Sequence, residues 1–195
     1  MQKIETEMSH SGKIELFKKE TIKFNKKHNL ISKKNTEEII DEGIAEAAAL
    51  TKHIKQYKNI LDIGTGSGLP GIPLAIFNEN KNIYLSEKNN KKNYHLKKTI
   101  KTLEINNATT VGSSNKNTKI KNKVDCVVTK AFASTKKTID IANSFLEKPF
   151  TLMLLKGKLE TINKEIAEAN ISKENYEIIK IENEKEKHIL KIQNE

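Results

Sequence analysis

Apolar and polar residues along this chain follow two periods, one typical of helices and one typical of buried strands. Residues 13–29 place apolar side chains at helical spacing among lysines, and a second helical pattern runs from Thr36 to Tyr57. From residue 59 onward, short apolar runs alternate with helix-compatible segments. The pattern predicts strands at 59–63, 82–86, 108–111, 124–129, 150–155, 176–181 and 188–192, and helices at 72–78, 90–104, 136–146 and 158–169.

This alternation is typical of an α/β fold with a mostly parallel sheet and helices on both faces. Only residues 182–187 separate the last two predicted strands. Because so short a link cannot hold a crossover helix, the two strands should form an antiparallel hairpin at the edge of the sheet. We therefore expect about seven strands preceded by N-terminal helices. The predicted division is a helical extension at 1–57 and a core at 58–195.

Charge adds a possible partner to this picture. The net charge is +10, and every basic side chain apart from the histidines is lysine, since the sequence contains no arginine. Lysines cluster at 13–34, 88–101 and 116–137, whereas 159–195 is net acidic. Such clustering predicts a polyanionic partner such as nucleic acid. The competing interpretation is a lysine-rich surface with no specific partner.

Several classes of protein are disfavoured by what the sequence lacks. It has no apolar run of about 18 residues, and residues 1–7 mix charges, so we expect a cytoplasmic protein that contacts no membrane. The single cysteine, Cys126, lies in an apolar run and should be a buried, inert thiol. The five histidines are scattered without ligand spacing, so no metal site is expected. Nothing indicates an obligate interface, and we expect a monomer.

The segment 59–75 combines a predicted buried strand, a glycine-rich turn and the start of a helix. Asp62 lies near the end of the strand, and glycines follow at 64, 66, 68 and 71. Glycines let backbone N–H groups approach a ligand where a Cβ would block them. The second strand ends at Ser86-Glu87, with Glu87 19 residues beyond Gly68, where an acid can bind the hydroxyls of an adenosine ribose. The segment therefore predicts a nucleotide-like cofactor in a Rossmann-like fold.

Two cofactors fit the glycine pattern. Gly66-x-Gly68-x-x-Gly71 matches the dinucleotide fingerprint, so NAD is one candidate. Three details favour S-adenosylmethionine. Asp62 would suit a cationic amino-acid group and repel a pyrophosphate, Pro70 and Pro73 remove two backbone donors, and no second domain is present to bind a hydride acceptor.

A longer motif carries a resemblance to a known family. Asp-x-Gly-x-Gly-x-Gly-Leu-Pro-Gly-Ile-Pro-Leu-Ala at 62–75 resembles the loop of the bacterial 16S ribosomal RNA guanine-N7 methyltransferases, first named glucose-inhibited division protein B. Other segments resemble that family in the same order along residues 20–192. They are Phe24-Asn25-Lys26, Asn29-Leu30-x-Ser32, Lys91-Lys92 followed by Leu96, the run from Asp125 to Ala133, Leu155-Lys156-Gly157 and the run from His188 to Ile192.

The resemblance implies S-adenosylmethionine-dependent methylation of N7 of a single guanine, position 527 in the 530 loop of 16S rRNA. Because that nitrogen carries an in-plane lone pair, no catalytic base is needed and orientation can supply most of the acceleration. The implied cofactor contacts are Gly64, Gly66 and Leu69 at the methionine end, Glu87 at the ribose, and Asn115 and Lys116 at the adenine.

The resemblance also implies contacts to the reacting groups and to RNA. Lys130 would lie beside the cofactor's methyl group or the target nucleotide, and is the one candidate catalytic residue. Lys91 and Lys92 would contact substrate, and Lys156 could bind a phosphate. The lysine-rich N-terminal helices would dock on 16S rRNA or the small ribosomal subunit.

The sequence departs from the family at four places. The family's Arg-His-x-x-Asp-Ser falls on residues 42–47, where only the acid is kept, as Glu46, and its Arg-x-Glu falls on residues 114–116. Its second-strand aspartate is Glu87, and its arginine in Ser-Arg-Ala is Lys130, which cannot form a bidentate contact. Two further functions therefore stay open, a small-molecule methyltransferase and a non-catalytic RNA-binding assembly factor with an eroded cofactor pocket.

Overall fold

Seven strands form one mixed sheet in the order β3-β2-β1-β4-β5-β7-β6. The computed structural model describes residues 8–111, 120, 123–147, 149–182 and 185–194. Neighbouring strands from β3 to β5 in that order are parallel, and β7 runs antiparallel to both β5 and β6. The strands are β1 Asn59–Ile63, β2 Asn82–Ser86, β3 Ala108–Thr110, β4 Cys126–Lys130, β5 Phe150–Lys156, β6 Tyr176–Ile181 and β7 Lys187–Asn194. The predicted mostly parallel sheet with a C-terminal hairpin is confirmed.

Six α-helices are present in the described part of the chain. They are α1 His10–His28, α2 Thr36–Thr51, α3 Gly71–Phe77, α4 Asn90–Thr102, α5 Thr135–Asn143 and α6 Leu159–Ala169. No helix among the described residues is long and apolar enough to cross a bilayer.

The two faces of the sheet are covered by separate hydrophobic clusters, as expected when helices pack on both sides. Successive residues of β1 point to opposite faces, so Ile60 belongs to one cluster and Leu61 to the other. The Ile60 cluster includes Phe17 of α1, Leu50 of α2 and Leu96 of α4. The N-terminal helices therefore share a core with one face of the sheet, and α5 and α6 cover the other.

The largest error in the predicted elements is the end of α2, which stops at Thr51 and not at Tyr57. Ile54 and Tyr57 continue the apolar spacing of the helix, but they pack from a turn. Lys81 Nζ stabilises this turn by donating to the carbonyl oxygens of Lys55 and Tyr57, at 3.0 and 2.6 Å. The other predicted boundaries differ from the structure by up to three residues.

The connection between α1 and α2 is held by Asn25, whose side chain is 2% exposed. Its Nδ2 donates to Thr36 Oγ1 at 2.9 Å, and its Oδ1 accepts from the backbone N–H of Ile31 at 3.0 Å. Thr36 lies at the first position of α2, so one amide side chain fixes both the turn and the start of the next helix.

We expect Asn25→Ala to lower the free energy of unfolding by about 1–3 kcal/mol, because it leaves two polar groups without their buried partner. Thr36→Val removes one of the two Asn25 hydrogen bonds and also the 3.0 Å bond that Thr36 Oγ1 donates to Ser32 O, so it should have a cost of similar size. The exposed neighbour Lys26 supplies the control variant Lys26→Ala. Urea unfolding measures all three, and an equal cost for Asn25→Ala and Lys26→Ala would contradict this role.

Candidate active site

The loop that leaves β1 depends on three glycines with positive φ, Gly64 at 71°, Gly66 at 60° and Gly68 at 96°. A Cβ on Gly64 would overlap the ring of Phe132, and one on Gly68 would lie 2.6 Å from Ile72 Cγ1. A Cβ on Gly66 would meet only Gly64 O, at 3.8 Å. Gly64 and Gly68 are thus required for packing, whereas Gly66 leaves open space in which a ligand can approach the backbone.

Glu87, just after β2, is tied to this loop. Its side chain is buried, Oε2 accepts from the N–H of Gly66 at 3.1 Å, and Oε1 accepts from the N–H of Asn89 at 2.7 Å. These bonds fix the carboxylate, and each oxygen keeps a further acceptor site. A fixed carboxylate beside an open glycine backbone fits the ribose of an adenosine cofactor.

A cleft of about 450 Å³ opens between the carboxyl ends of β1, β2 and β4, a size typical of ligand sites. It is lined by Ile63, Gly64, Ser86, Glu87, Lys88, Lys92, Ala131, Phe132, Ile141 and Ser144, and we call it the glycine-loop cleft. Strand order reverses between β1 and β4, which is where open α/β sheets bind their ligands. The structure therefore brings together the predicted cofactor contacts Gly64 and Glu87 and the predicted substrate contact Lys92.

Asp62 does not face this cleft, which corrects the expected contact with a cationic amino-acid group. It is fully buried beneath the loop, where Oδ2 accepts from the N–H of Gly71 at 3.0 Å. Burial raises the pKa of Asp62 to about 7, although the nearby Thr65 hydroxyl and the Gly71 amide act in the opposite direction. Asp62 therefore stabilises the glycine loop from its buried side, and its hydrogen bond with Gly71 fixes the first residue of α3.

Leu69 also points elsewhere than predicted. Its side chain is buried against α2, where a Cβ on Gly43 would lie 2.8 Å from Leu69 Cδ2. Its N–H donates to Thr65 O at 3.2 Å. Leu69 therefore connects the glycine loop to α2 and is not among the residues that line the cleft.

Two predicted substrate contacts, Lys91 and Lys92, and two predicted adenine contacts, Asn115 and Lys116, remain. Lys91 and Lys92 begin α4, and their N–H groups donate to Asn89 Oδ1 at 3.0 and 3.1 Å. Lys91 is exposed, whereas Lys92 lines the cleft. Asn115 and Lys116 lie outside the described residues.

A second, smaller cavity of about 280 Å³ adjoins the glycine-loop cleft and shares Ala131 and Phe132 with it. We call it the lysine cavity, because Lys130, Lys156 and Lys187 line it together with Glu46 and Glu165. The structure thus brings the predicted residues Lys130 and Lys156 to one site, beside the expected position of the cofactor.

Lys156 is already paired within this cavity. Its Nζ lies 2.6 Å from Glu165 Oε2 and 3.4 Å from Ala133 O. Although burial opposes it, hydrogen bonds from Lys156 and Thr135 hold the pKa of Glu165 below its ordinary value. A phosphate could bind Lys156 as predicted only by competing with this carboxylate.

Comparison with known proteins identifies the family. Residues 10–190 match the family model described as "GidB: rRNA small subunit methyltransferase G". The chain belongs to this family. A ribosomal RNA small subunit methyltransferase G of Brachyspira hyodysenteriae is 38% identical over 172 residues, 87% of this chain and 83% of that protein. The protein of the same name from Glaesserella parasuis is 32% identical over 159 residues, 82% and 76% of the two chains.

Several solved structures resemble this chain in fold. The structure of M. jannaschii TYW2 in complex with AdoMet has a TM-score of 0.54 at 20% identity, over 77% of this chain and 74% of that one. A putative O-methyltransferase from Klebsiella pneumoniae has a TM-score of 0.58 at 10% identity, over 94% and 90%. The predicted Rossmann-like methyltransferase fold and the predicted family are confirmed. Family membership also supports S-adenosylmethionine over NAD as the cofactor.

Glu46 is recognisable in the sequence as a retained acid of a family motif, but it was not predicted to belong to the site. Its side chain is 4% exposed, and it pairs with Lys130 and, at 3.4 Å, with Lys187. It belongs to a row of acids on α2 at four-residue spacing, Glu38, Glu42 and Glu46, which pairs with Lys185 and Lys187 near the start of β7. The spacing is visible in sequence, but the partner Lys130, 84 residues away, is not.

We expect Glu46→Gln to lower the free energy of unfolding by about 1–3 kcal/mol, less than for a fully buried pair because both lysines keep some exposure. The matched control is Glu42→Gln, whose side chain is 25% exposed and which should cost less than about 1 kcal/mol.

Chemical unfolding of Glu46→Gln, Lys130→Gln and the double variant tests the coupling. The double variant should cost less than the two single variants together. Additive costs would contradict a paired role for Glu46, and equal costs for Glu46→Gln and Glu42→Gln would contradict the larger contribution expected of the more buried acid.

Proposed function

We propose that this protein transfers the methyl group of S-adenosylmethionine to N7 of a guanine in the 530 loop of 16S rRNA. Membership of the rRNA small subunit methyltransferase G family supports the substrate class. The observation that carries the cofactor part is Glu87, whose buried carboxylate is fixed by the Gly66 and Asn89 amides at the edge of a ligand-sized cleft.

S-adenosylmethionine supplies an electrophilic methyl group on a sulfonium. Glu87 would accept hydrogen bonds from the ribose hydroxyls, and the open face of Gly66 would admit the cofactor close to the backbone. Asn115 and Lys116 stay predicted contacts of the adenine, and Gly64 would border the methionine end.

The chain's own contribution to methyl transfer is placement of the guanine, because N7 needs no deprotonation before it attacks. Phe132 contacts Gly64 and borders both cavities, so it lies between the proposed cofactor position and the lysine cavity. With three lysines and two glutamates, this cavity carries a net positive charge, which would attract the target nucleotide's phosphates. Lys130 would act there as a positioning cation.

The same proposal assigns RNA docking to residues 1–57 and to the first turn of α4. Residues 13–34 carry eight lysines and two acidic residues, and most of these lysines have exposed or half-exposed side chains. Lys91 and Lys92 continue that positive surface to the mouth of the glycine-loop cleft. Phosphate contacts of this kind position an RNA without reading its sequence.

The deciding experiment offers labelled S-adenosylmethionine and small ribosomal subunits that lack N7-methylguanine, beside tRNA and beside subunits already methylated at the target. We expect label in 16S rRNA as N7-methylguanosine and none in either control. Subunits that are bound but not labelled would favour the assembly factor, and label only in small molecules of a cell extract would favour the small-molecule enzyme.

We expect Glu87→Ala to weaken S-adenosylmethionine binding by about tenfold or more, the loss of one to two charge-assisted hydrogen bonds. Isothermal titration calorimetry measures this affinity without any RNA. Glu168→Ala, an exposed acid on α6, is the matched control and should bind as the unmodified protein does. Unchanged affinity of a folded Glu87→Ala variant would refute the ribose role.

A further inference from the structure

Three aromatic rings meet on the surface where α1 packs against α4. The ring of Phe24 lies between those of His28 and Tyr94, with centroids 4.3 and 6.3 Å from its own. We call Phe24, His28 and Tyr94 the aromatic patch. It borders a shallow depression of about 220 Å³ that is also lined by Glu20, Lys23, Lys27 and Lys98.

Tyr94 is the most exposed large apolar side chain among the described residues. It is 63% exposed, against 36–42% for Met8, Phe132 and Leu159, the other exposed large apolar side chains in the described part of the chain. A single exposed apolar residue is ordinary. The exposed ring of Tyr94 lies beside the rings of Phe24 and His28, so the three rings together form one aromatic surface.

The charge around the patch is positive. Lys23 and Lys27 lie on α1, and Lys91 and Lys98 lie on the same face of α4 as Tyr94, at i−3 and i+4. The nearby acid Glu20 is paired with Lys98 at 3.1 Å, so it cancels one of these four charges. A solvent-exposed ring flanked by cations is the arrangement that binds an unpaired base and its phosphates.

The patch is connected to the glycine loop through α4 and His95. Tyr94 is four residues after Asn90, the first residue of α4, which at 1.5 Å per residue is about 6 Å along the helix from its N-terminal end, and Glu87 precedes Asn90 by three residues. His95, the next residue, is buried behind Phe24 with ring centroids 4.8 Å apart. The His95 ring also interacts with the backbone of Ser67 in the glycine loop, so this one buried side chain connects Phe24 to that loop.

The buried His95 ring, which supports Phe24 from below, is uncharged at neutral pH. Burial lowers the pKa of His95 to about 4, and the charge of Lys98 acts in the same direction. A neutral buried ring beneath Phe24 leaves the positive charge at the rim, on the lysines, where phosphates can reach it.

We infer that an unpaired base of the RNA substrate stacks on Tyr94, beside Phe24 and His28, while Lys23, Lys27 and Lys91 contact the neighbouring phosphates. This inference rests on the proposed function, which it deepens by naming the surface and the mode of recognition. RNA recognition commonly uses unstacked bases of loops placed on aromatic side chains. An acidic protein would match the lysines but has no group that requires a flat exposed ring.

The test compares Tyr94→Ala, Tyr94→Phe and Tyr94→Leu for binding to a protein-free 16S rRNA fragment that contains the 530 loop, and to assembled small subunits. Tyr94→Ala should weaken RNA binding by about 10- to 100-fold, the loss of one stacked base. Tyr94→Phe should restore it because the ring is kept, and Tyr94→Leu should not. Leu159→Ala, an exposed apolar residue at the start of α6 and outside the proposed docking region, is the matched control.

Three results would overturn the inference. They are unchanged binding of Tyr94→Ala, full binding by Tyr94→Leu, and a loss seen with assembled subunits but not with the protein-free fragment. The last result would assign the patch to a ribosomal protein. S-adenosylmethionine affinity and the melting temperature should be the same in all three variants, which separates lost RNA contact from a damaged fold.

The lysines are tested by salt dependence. Lys23→Ala and Lys27→Ala should each reduce the slope of log Kd against log salt concentration by about 0.7–0.9. Lys164→Ala on α6 is the control and should leave it unchanged. Since binding is measured without turnover, failure of wild-type methyl transfer would refute the proposed function and leave this test of the patch intact.

Discussion

The turn after β1 constrains the rest of the site, because its backbone conformation and close contacts require glycine. Positive φ at Gly64, Gly66 and Gly68 directs the backbone away from the sheet within five residues. That path places the Gly66 amide against Glu87 and the Gly71 amide against the buried Asp62. It also lets the ring of Phe132 rest on Gly64. The ends of three strands are thereby brought together around one loop.

The lysines on the two sides of the glycine loop differ in whether they are paired with acidic residues. On the α4 side, exposed lysines surround a cleft whose fixed groups are a carboxylate and backbone amides. On the β4–β5 side, the lysines are held by glutamates, Lys130 by Glu46 and Lys156 by Glu165. A paired lysine is oriented, but its field is partly cancelled. The exposed surface on the α4 side is therefore positive, whereas the lysine cavity keeps a small net positive charge from lysines that its glutamates hold in fixed positions.

The sequence predicted the mostly parallel sheet, its antiparallel C-terminal hairpin and the glycine loop after β1, because these depend on local spacing and on the length of the connections. The direction of a side chain could not be predicted where a contact with a residue distant in the sequence determines it. Leu69 lies in the matched motif, yet Gly43 leaves space for it on α2. Asp62 lies on β1 and is held by an amide of α3. Ile54 has helical spacing but packs from a turn that a buried lysine stabilises. Glu46 was visible as a retained acid, whereas its pairing across the fold was not.

The position of β7 between β5 and β6 sets an order of assembly. Until β7 is synthesised, β5 has an unpaired edge and the acids on α2 lack Lys185 and Lys187, with Lys185 143 residues beyond Glu42. Contacts of such long sequence separation form late and slowly. During translation, the helices and strands that are synthesised first therefore remain beside an exposed edge of β5 until β7 follows. The cavity around Lys130 is completed only when the hairpin has left the ribosomal exit tunnel.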